Sequence, residues 1–579
     1  MAEIVTRSWA PRRSGQAPAP FKQRFGKILG QVAWARGFDD PSAIEALLSP
    51  RLDSLSSPLL MLNMDRASDL ITAAVIANDP ICIYGDYDMD GMSGLAVLVS
   101  FLRACGAANI TYYQPDRLNE GYGVHPEAIR SIAAQGAKIV VTVDTGTSAW
   151  EAAIEAQKLG LQFIVTDHHQ QTGEIPVGAC VVNPNQKGDT SGLGYLSGAG
   201  MAFYTAIAVR SKLRDKGWFT PQRPQPDLRQ WLDLLILGTI ADQVELQGDN
   251  RALVRAGLEQ LQRSTRPGLA CLRDRVFTRV TGMPSAQDVA FLLAPKLNAA
   301  SRMGFAALST ELLLTDSATR ADELVEEILS LNQKRSTIQA EIFADALAQA
   351  QAQDLPVTVV HGSWHEGVLG IVAAKLVEAL GKPAIVLAET PHEEKTLRGS
   401  MRTVLGCSCV EILEACKEVL IRFGGHEMAA GMQLKFENID RFKALIKIAA
   451  ENRDALELPL VEFDGDLEAE TLSPSDVNLV DSFGPWGSGN PEPLFRVTGL
   501  SLENVKLMKE QHVKLTLPGG AEVVGFFKAS ELEAFRQAGH QKFDALIHPG
   551  LNRFRGIETV QFKLAHARPH KSDDSTPRS

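Results

Sequence analysis

Residues 84–91 of the chain read YGDYDMDG, and residues 167–169 read DHH. Asp86, Asp88 and Asp90 stand on every second position, directly after the apolar run ICIY. Carboxylates this close repel one another unless water or a cation screens them. Asp and Gly are also the usual turn residues, so the stretch alone reads as a solvated turn. Its other reading is a seat for a hard divalent cation, which takes oxygen ligands.

The surrounding pattern decides between the two. Short apolar strands at 81–84, 109–113, 138–143 and 162–166 alternate with helical stretches at 93–104, 126–135 and 148–159. That alternation predicts an α/β fold with a parallel sheet covered on both faces. In such sheets functional groups lie just beyond the carboxyl ends of the strands. Asp86, Asp88 and Asp90 follow one strand, Asp144 in VTVDTGTS follows another, and Asp167, His168 and His169 follow a third. Independent turns would not coincide on one sheet edge in this way. The apolar run WLDLLILGTIAD at 231–242 predicts a buried helix ending in Asp242. The helix dipole disfavours an acid there, and a neighbouring cation would offset that penalty.

Carboxylates with one imidazole form a hard donor set suited to Mn²⁺ or Mg²⁺. Two ions bridged by Asp144 would lie about 3.5–4 Å apart, the spacing that activates water for in-line displacement at phosphorus. Asp88, Asp90, His168 and Asp242 are the natural terminal ligands, and Asp86 either ligates or supports from behind. His169 either touches the scissile phosphate or packs.

At 579 residues the chain suggests roughly three to five domains. The divisions expected are an N-terminal segment over 1–60, the first α/β domain over 61–318 and a long connecting helix over 319–354. A second α/β domain over 355–458, a β-barrel domain over 459–570 and a disordered tail over 571–579 complete the set. The net charge of −11 argues mildly against coating nucleic acid by bulk electrostatics, although both ends are locally basic. The seven cysteines are scattered, and the C-x-C pair Cys407 and Cys409 is a weak zinc signal; thiols in a reducing cytosol are expected instead. No secretory h-region and no apolar run of roughly 20 residues is present, so the expected location is cytoplasmic, away from membranes.

Nine motifs, in order, carry a resemblance: YGDYDMDG at 84–91, VTVDTG at 141–146, DHH at 167–169, LGTIAD at 237–242, LNAASRM at 297–303, WHEGVLGIVAAK at 364–375, RGSMR at 398–402, FGGHEMAAG at 423–431 and FGPWGSGNPEPLF at 483–495. Over roughly residues 60–500 the chain resembles the RecJ family of single-strand-specific exonucleases, within the DHH phosphoesterase superfamily. The resemblance implies a DHH catalytic domain, a connecting helix, a DHH-associated domain facing it across a cleft, and an OB-fold. It also implies 5′→3′ degradation of single-stranded DNA to mononucleotides with Mn²⁺ or Mg²⁺, in recombination and repair. Partners implied are single-strand-binding protein and a helicase.

Arg402 presents a bidentate fork suited to phosphate, beside the Ser400 hydroxyl and the Gly399 backbone. The resemblance assigns Ser400 and Arg402 to the 5′ phosphate. Gly424 and Gly425 permit close backbone approach, and His426 adds a donor. Arg302 and Arg117 are candidate clamps on phosphates near the metals, with structural salt bridges as the alternative. His365 opens a helix, where free N–H groups favour anions, and is expected to line the cleft. In the β module, Phe554 between Arg553 and Arg555 is a weak candidate for base stacking.

Met89 and Ser301 stand where the family usually has Ala and Gly, and QVELQGDNR follows Asp242 in place of a more apolar segment. None of these removes a ligand; they suggest a divergent member. The competing readings are a DHH phosphodiesterase for short oligonucleotides or cyclic dinucleotides, and a non-catalytic nucleic-acid scaffold. The β module after 460 favours long strands over the first, and the intact ligand set speaks against the second.

Overall fold

Ile81–Gly85 (β1) and Ile139–Val143 (β3) are buried along their whole length, as strands covered on both faces must be. With Ile110–Tyr113 (β2), Gln162–Thr166 (β4) and Cys180–Val182 (β5) they form a five-stranded, all-parallel sheet in the order β2-β1-β3-β4-β5. The chain leaves β1 to one side for β2 and returns to the other side for β3. That reversal opens a crevice at the carboxyl ends of β1 and β3, the place where doubly wound sheets bind ligands. The computed structural model describes residues 8–280, 282–353, 355–390, 395–451, 460–467, 472–554 and 557–570. The predicted tail, Arg555 and the Phe554 side chain lie outside the described residues.

Three helices pack around the crevice. Met89–Ala104 (α1) begins directly after β1 and packs on Gly198–Asp215 (α2) and Leu232–Ala241 (α3). Helix α3 is apolar all round and buried, and Asp242 is its C-cap. Ala294–Arg302 (α4) packs on the long helix Ala318–Gln351 (α5).

Helix α5 also packs on Leu369–Leu380 (α6) and on the strand Thr358–Gly362 (β6) of a second sheet. Ala384–Glu389 (β7), Thr396–Arg402 (β8), Leu420–Gly425 (β9) and Ala429–Lys435 (β10) complete this sheet in the order β9-β10-β8-β7-β6. Its β6–β7 pair is parallel and the others antiparallel. Along β8 the two-residue period places Leu397 and Met401 in the apolar core and leaves Arg398, Ser400 and Arg402 on the opposite face. Both sheets belong to one contact unit, Leu55–Glu457.

The other unit joins the two ends of the chain, Met1–Ser54 and Leu458–Ser579. Trp9–Pro11 pairs in parallel with Val461–Phe463, and Ala19–Ala35 lays Phe21, Phe25, Ile28, Leu29 and Val32 into the core of a seven-stranded sheet. Buried Asp464 accepts from Arg36 Nε at 3.1 Å, and Gln31 donates to the Asp464 carbonyl at 2.9 Å. The seven cysteines form no disulfide; Cys407 and Cys409 sit in an apolar core.

Candidate metal centre and phosphate pocket

The chain turns sharply at the end of β1 and brings three carboxylates together. Asp88 caps α1, its Oδ1 accepting the Asp90 amide at 2.9 Å and the Gly91 amide at 3.2 Å. Asp86 is 2 % exposed, and its Oδ1 has no hydrogen-bond partner among the described residues. Asp90 accepts from the first amides of α2, Gly198 at 2.6 Å and Ala199 at 2.9 Å. Asp144, at the end of β3, holds φ at +65°, a left-handed conformation that a non-glycine residue adopts at a cost.

Glycines make the close approach possible. A Cβ at Gly238 of α3 would fall 2.2 Å from Asp90 Oδ1, and one at Gly198 would fall 2.4 Å from Asp144 Cβ. His168 closes the cluster: its Nε2 lies 3.1 Å from Asp144 Oδ1, 3.6 Å from Asp242 Oδ2 and 3.7 Å from Asp90 Oδ2.

Three donor groups have their ligand atoms within 4.8 Å of one another: Asp86/Asp88/Asp144 and Asp90/His168/Asp242, which share no residue, and Asp144/His168/His169, which links them. Burial and then the neighbouring carboxylates push Asp86 and Asp144 well above the ordinary carboxylate range. Asp242 is pushed up to about 8 by burial and by Asp90 and Asp88. Burial pulls the His168 imidazole below its usual value, favouring the neutral form that ligates. A cluster this starved of positive charge, built of carboxylate oxygens and one imidazole, fits two hard divalent cations.

His169 has a different partner. Its Nδ1 donates to Asp167 Oδ1 at 2.8 Å, while Thr147 donates to Asp167 Oδ2 through both its amide and its hydroxyl. Burial opposes the imidazolium, yet Asp167 raises His169 to about 9. Burial likewise opposes the Asp167 carboxylate, but these donors hold it well below its ordinary range. The lone pairs of Asp167 are thereby consumed, and His169 keeps Nε2 for a ligand.

Beside the carboxylates lies a cavity of about 400 Å³ walled by Arg117, Arg302, Arg398, Arg402 and Arg422. The strand register explains it. Arg398 and Arg422 both pair with Gln433, and Ser400 and Gly424 both pair with Gly431 in the next row. Arg402 Nη1 donates to Ser400 Oγ at 2.8 Å, and Gly370 makes room for it, since a Cβ there would lie 2.8 Å from Arg402 Nη2. Burial and the neighbouring Arg117, Arg335 and Arg402 push Arg302 down to about 9. Arg117 stacks over the Tyr87 ring at 4.8 Å. Neither Arg117 nor Arg302 is ion-paired among the described residues, so the salt-bridge alternative does not hold for them. Glu366, which faces Arg398 at 3.4 Å, is the one carboxylate residue in this wall, so a surplus of cations remains, which suits phosphate.

The structure thus brings Asp86, Asp88, Asp90, Asp144, His168 and Asp242 into one cluster, and Arg117, Arg302, Ser400, Arg402 and Gly424 around one pocket. Gly425 and His426 line the neighbouring cavity with His169. His365 does not line the arginine pocket: its Nδ1 accepts the Gly367 amide at 3.1 Å and caps the short turn before α6. Arg398, Arg422 and Asp167 are additions to the expected set. Strand alternation within RGSMR would have found Arg398.

Comparison with known proteins places this geometry. Models for the DHH family N-terminal domain, the DHHA1 domain and the RecJ OB domain match residues 80–239, 352–452 and 463–566. The single-stranded-DNA-specific exonuclease RecJ of Dickeya dadantii is 32% identical over 96% of this chain and 99% of its own. The chain belongs to the RecJ family. Crystal structures of Thermus thermophilus RecJ superpose over 99% of the chain at 28% identity: the complex with Mn²⁺ has a TM-score of 0.82 over 81% of that protein, and the complex with Mg²⁺ 0.75 over 80%. The DHH, DHHA1 and OB architecture of RecJ is therefore the architecture here, and Mn²⁺ or Mg²⁺ is the fitting cofactor.

Proposed function

We propose that this RecJ-family chain is a metal-dependent exonuclease that degrades single-stranded DNA from its 5′ end to mononucleotides. The observation that carries the reading is the adjacency of the two carboxylate-rich donor sets to an arginine-walled pocket within one unit. Asp86, Asp88 and Asp144 would hold one ion, and Asp90, His168 and Asp242 the other. Such ions supply Lewis-acid charge and a water of lowered pKa.

The chain's own groups do the rest. Arg402, Ser400 and Arg398 hold the terminal 5′ phosphate, and Arg302 and Arg117 orient the phosphate nearer the centre. His169, oriented by Asp167 through Nδ1, turns its Nε2 to a phosphate oxygen. The end group thus sets how far the strand enters before the scissile bond reaches the metals. A single-strand-binding protein and a helicase are carried over as partners from the family resemblance, and a cytoplasmic location is kept from the sequence reading. Among the described residues no helix is long and apolar enough to cross a membrane.

The test is nucleotide release from 5′-labelled and 3′-labelled single strands with Mn²⁺, Mg²⁺ or EDTA, comparing the wild type with Asp144→Ala. Metal-dependent release of the 5′ label first, lost in the variant, is the expected result. Long strands left intact while di- and trinucleotides are cleaved would replace this reading with the small-substrate one.

A further inference from the structure

Strand β4 ends at Thr166, so the main chain of His168 and His169 lies beyond the ladder, at the mouth of the loop 170–179 that leads to β5. Buried backbone groups that leave a ladder need other partners. Side chains supply all of them. Both amides donate to Asp167 Oδ1, at 2.8 Å from His168 and 3.2 Å from His169. Both carbonyls accept from asparagines just past β5. Asn183 Nδ2 donates to the His169 carbonyl at 2.8 Å, and Asn185 Nδ2 donates to the His168 carbonyl at 2.6 Å.

The two asparagines are themselves fixed. Asn183 is 0% exposed and spends its second amide hydrogen on Thr147 Oγ1 at 2.8 Å, while its Oδ1 accepts the Asn185 amide at 2.8 Å. Thr147 passes its own hydroxyl hydrogen to Asp167 Oδ2 at 2.6 Å, and Asp167 holds His169 Nδ1 at 2.8 Å. Asn183 therefore reaches His169 twice, at its carbonyl and, through Thr147 and Asp167, at its ring. Asn185 gives its second hydrogen to the Gly194 carbonyl at 3.1 Å. A Cβ at Gly194 would fall 2.3 Å from Asn185 Oδ1, so the close approach of this amide requires glycine there.

We infer that Asn183 and Asn185 are positioning residues with separate duties: Asn185 aims His168 at the ion it holds with Asp90 and Asp242, and Asn183 aims His169 at the phosphate oxygen. The Asn183 half rests on the exonuclease reading above, and the Asn185 half on the metal centre alone. A hydrogen bond to a carbonyl fixes the peptide plane that follows the histidine, and with it the direction of the Cα–Cβ bond. Such control matters because a ligating or donating group must be held within about 0.5 Å of its productive place.

The experiment compares the full-length wild type with Asn183→Ala and Asn185→Ala. It reads calorimetric titration with Mn²⁺, and kcat and KM on 5′-phosphorylated single strands at saturating Mn²⁺. Asn185→Ala is expected to weaken one of the Mn²⁺ binding steps about 10- to 100-fold, and to recover most of kcat once Mn²⁺ saturates. Asn183→Ala is expected to bind Mn²⁺ as the wild type does and to lose about 10- to 100-fold in kcat, with KM little changed. Because it acts through His169, Asn183→Ala should add little to His169→Ala. Thr147→Val cuts the route to Asp167 at another point and should reproduce part of the kcat loss, which keeps the test open if Asn183→Ala does not fold.

Equal losses of metal affinity and of kcat in the two asparagine variants would reduce both residues to loop anchors and overturn the inference. Wild-type values in both would overturn it too, and multiplying effects of Asn183→Ala and His169→Ala would overturn the Asn183 half. If the wild type releases no nucleotide with metal, the exonuclease reading fails and takes the Asn183 half with it, while the Mn²⁺ titration still decides Asn185.

Discussion

Asp90 and Gly198 meet at 2.6 Å: a carboxylate oxygen at the start of one helix takes the first amide of another, and Ala199 serves the second oxygen at 2.9 Å. The N-terminal end of α2 is therefore the scaffold that aims Asp90, and the helix dipole helps keep it charged. Gly198 has a second neighbour, because any Cβ there would press on Asp144 at 2.4 Å.

Gly198→Ala is thus expected to disturb two ligands while removing none. Overpacking of this kind costs about 1–3 kcal/mol. Calorimetric titration with Mn²⁺ should show weakened or absent binding, with circular dichroism retaining the helical content. Wild-type affinity in the variant would refute the scaffold role.

Metal-free protein should behave oddly with pH. Asp242, with an ordinary value of 3.8, is held at about 8 in the fold, so the native state keeps a proton that the unfolded chain releases. Its stability contribution is present below the ordinary value and is lost as pH rises towards about 8. Bound cations remove the reason for the shift. The gap between melting temperatures in Mn²⁺ and in EDTA should widen as pH rises from about 5 to about 8. Asp144→Asn, which deletes one repelling charge, should raise the EDTA melting temperature while abolishing cleavage. A gap that is flat with pH would count against the electrostatic account.

The arginine pocket predicts a dependence on the end group. Removing Arg402 forfeits charge-assisted hydrogen bonds of about 1.5–3 kcal/mol, or roughly 10- to 150-fold. Arg402→Ala should lose that factor on 5′-phosphorylated strands and much less on 5′-hydroxyl strands. Arg398→Ala should behave alike but more weakly, since Arg398 already faces Glu366 at 3.4 Å. Equal losses on the two substrates would place the terminal phosphate elsewhere.

Ser301 carries a buried hydroxyl with no partner among the described residues, one residue before Arg302. Ser301→Ala removes that unsatisfied group and improves helix propensity, so thermal unfolding should show a gain of about 1 kcal/mol. Chemical denaturation provides the check, and a destabilised variant would mean that the hydroxyl has a bound partner.

The acids and histidines were legible because α/β topology sends every strand end to one edge, and Asp86, Asp144 and His168 follow their strands by one or two residues. The connecting helix was legible for a similar local reason, an unbroken helical stretch found at Ala318–Gln351. Arg422 was not legible, since it meets Arg398 only through the register of both strands on Gln433. His365 was ambiguous, because an imidazole at a helix start serves equally as a cap and as a ligand contact. The partnership of Trp9–Pro11 with Val461–Phe463 left no local trace at all.

That last pairing bears on biosynthesis. Arg12 donates to Glu462, a partner 450 residues later in the chain. At about 5–20 residues per second, a ribosome takes roughly 20–90 s to cover that distance. Throughout that interval Phe21, Phe25 and Leu29 lack the strands they will be buried against, and they are open to chaperones and to proteases. The catalytic half is made while the earlier segment waits, so a segment synthesised late is the one that shelters one synthesised early.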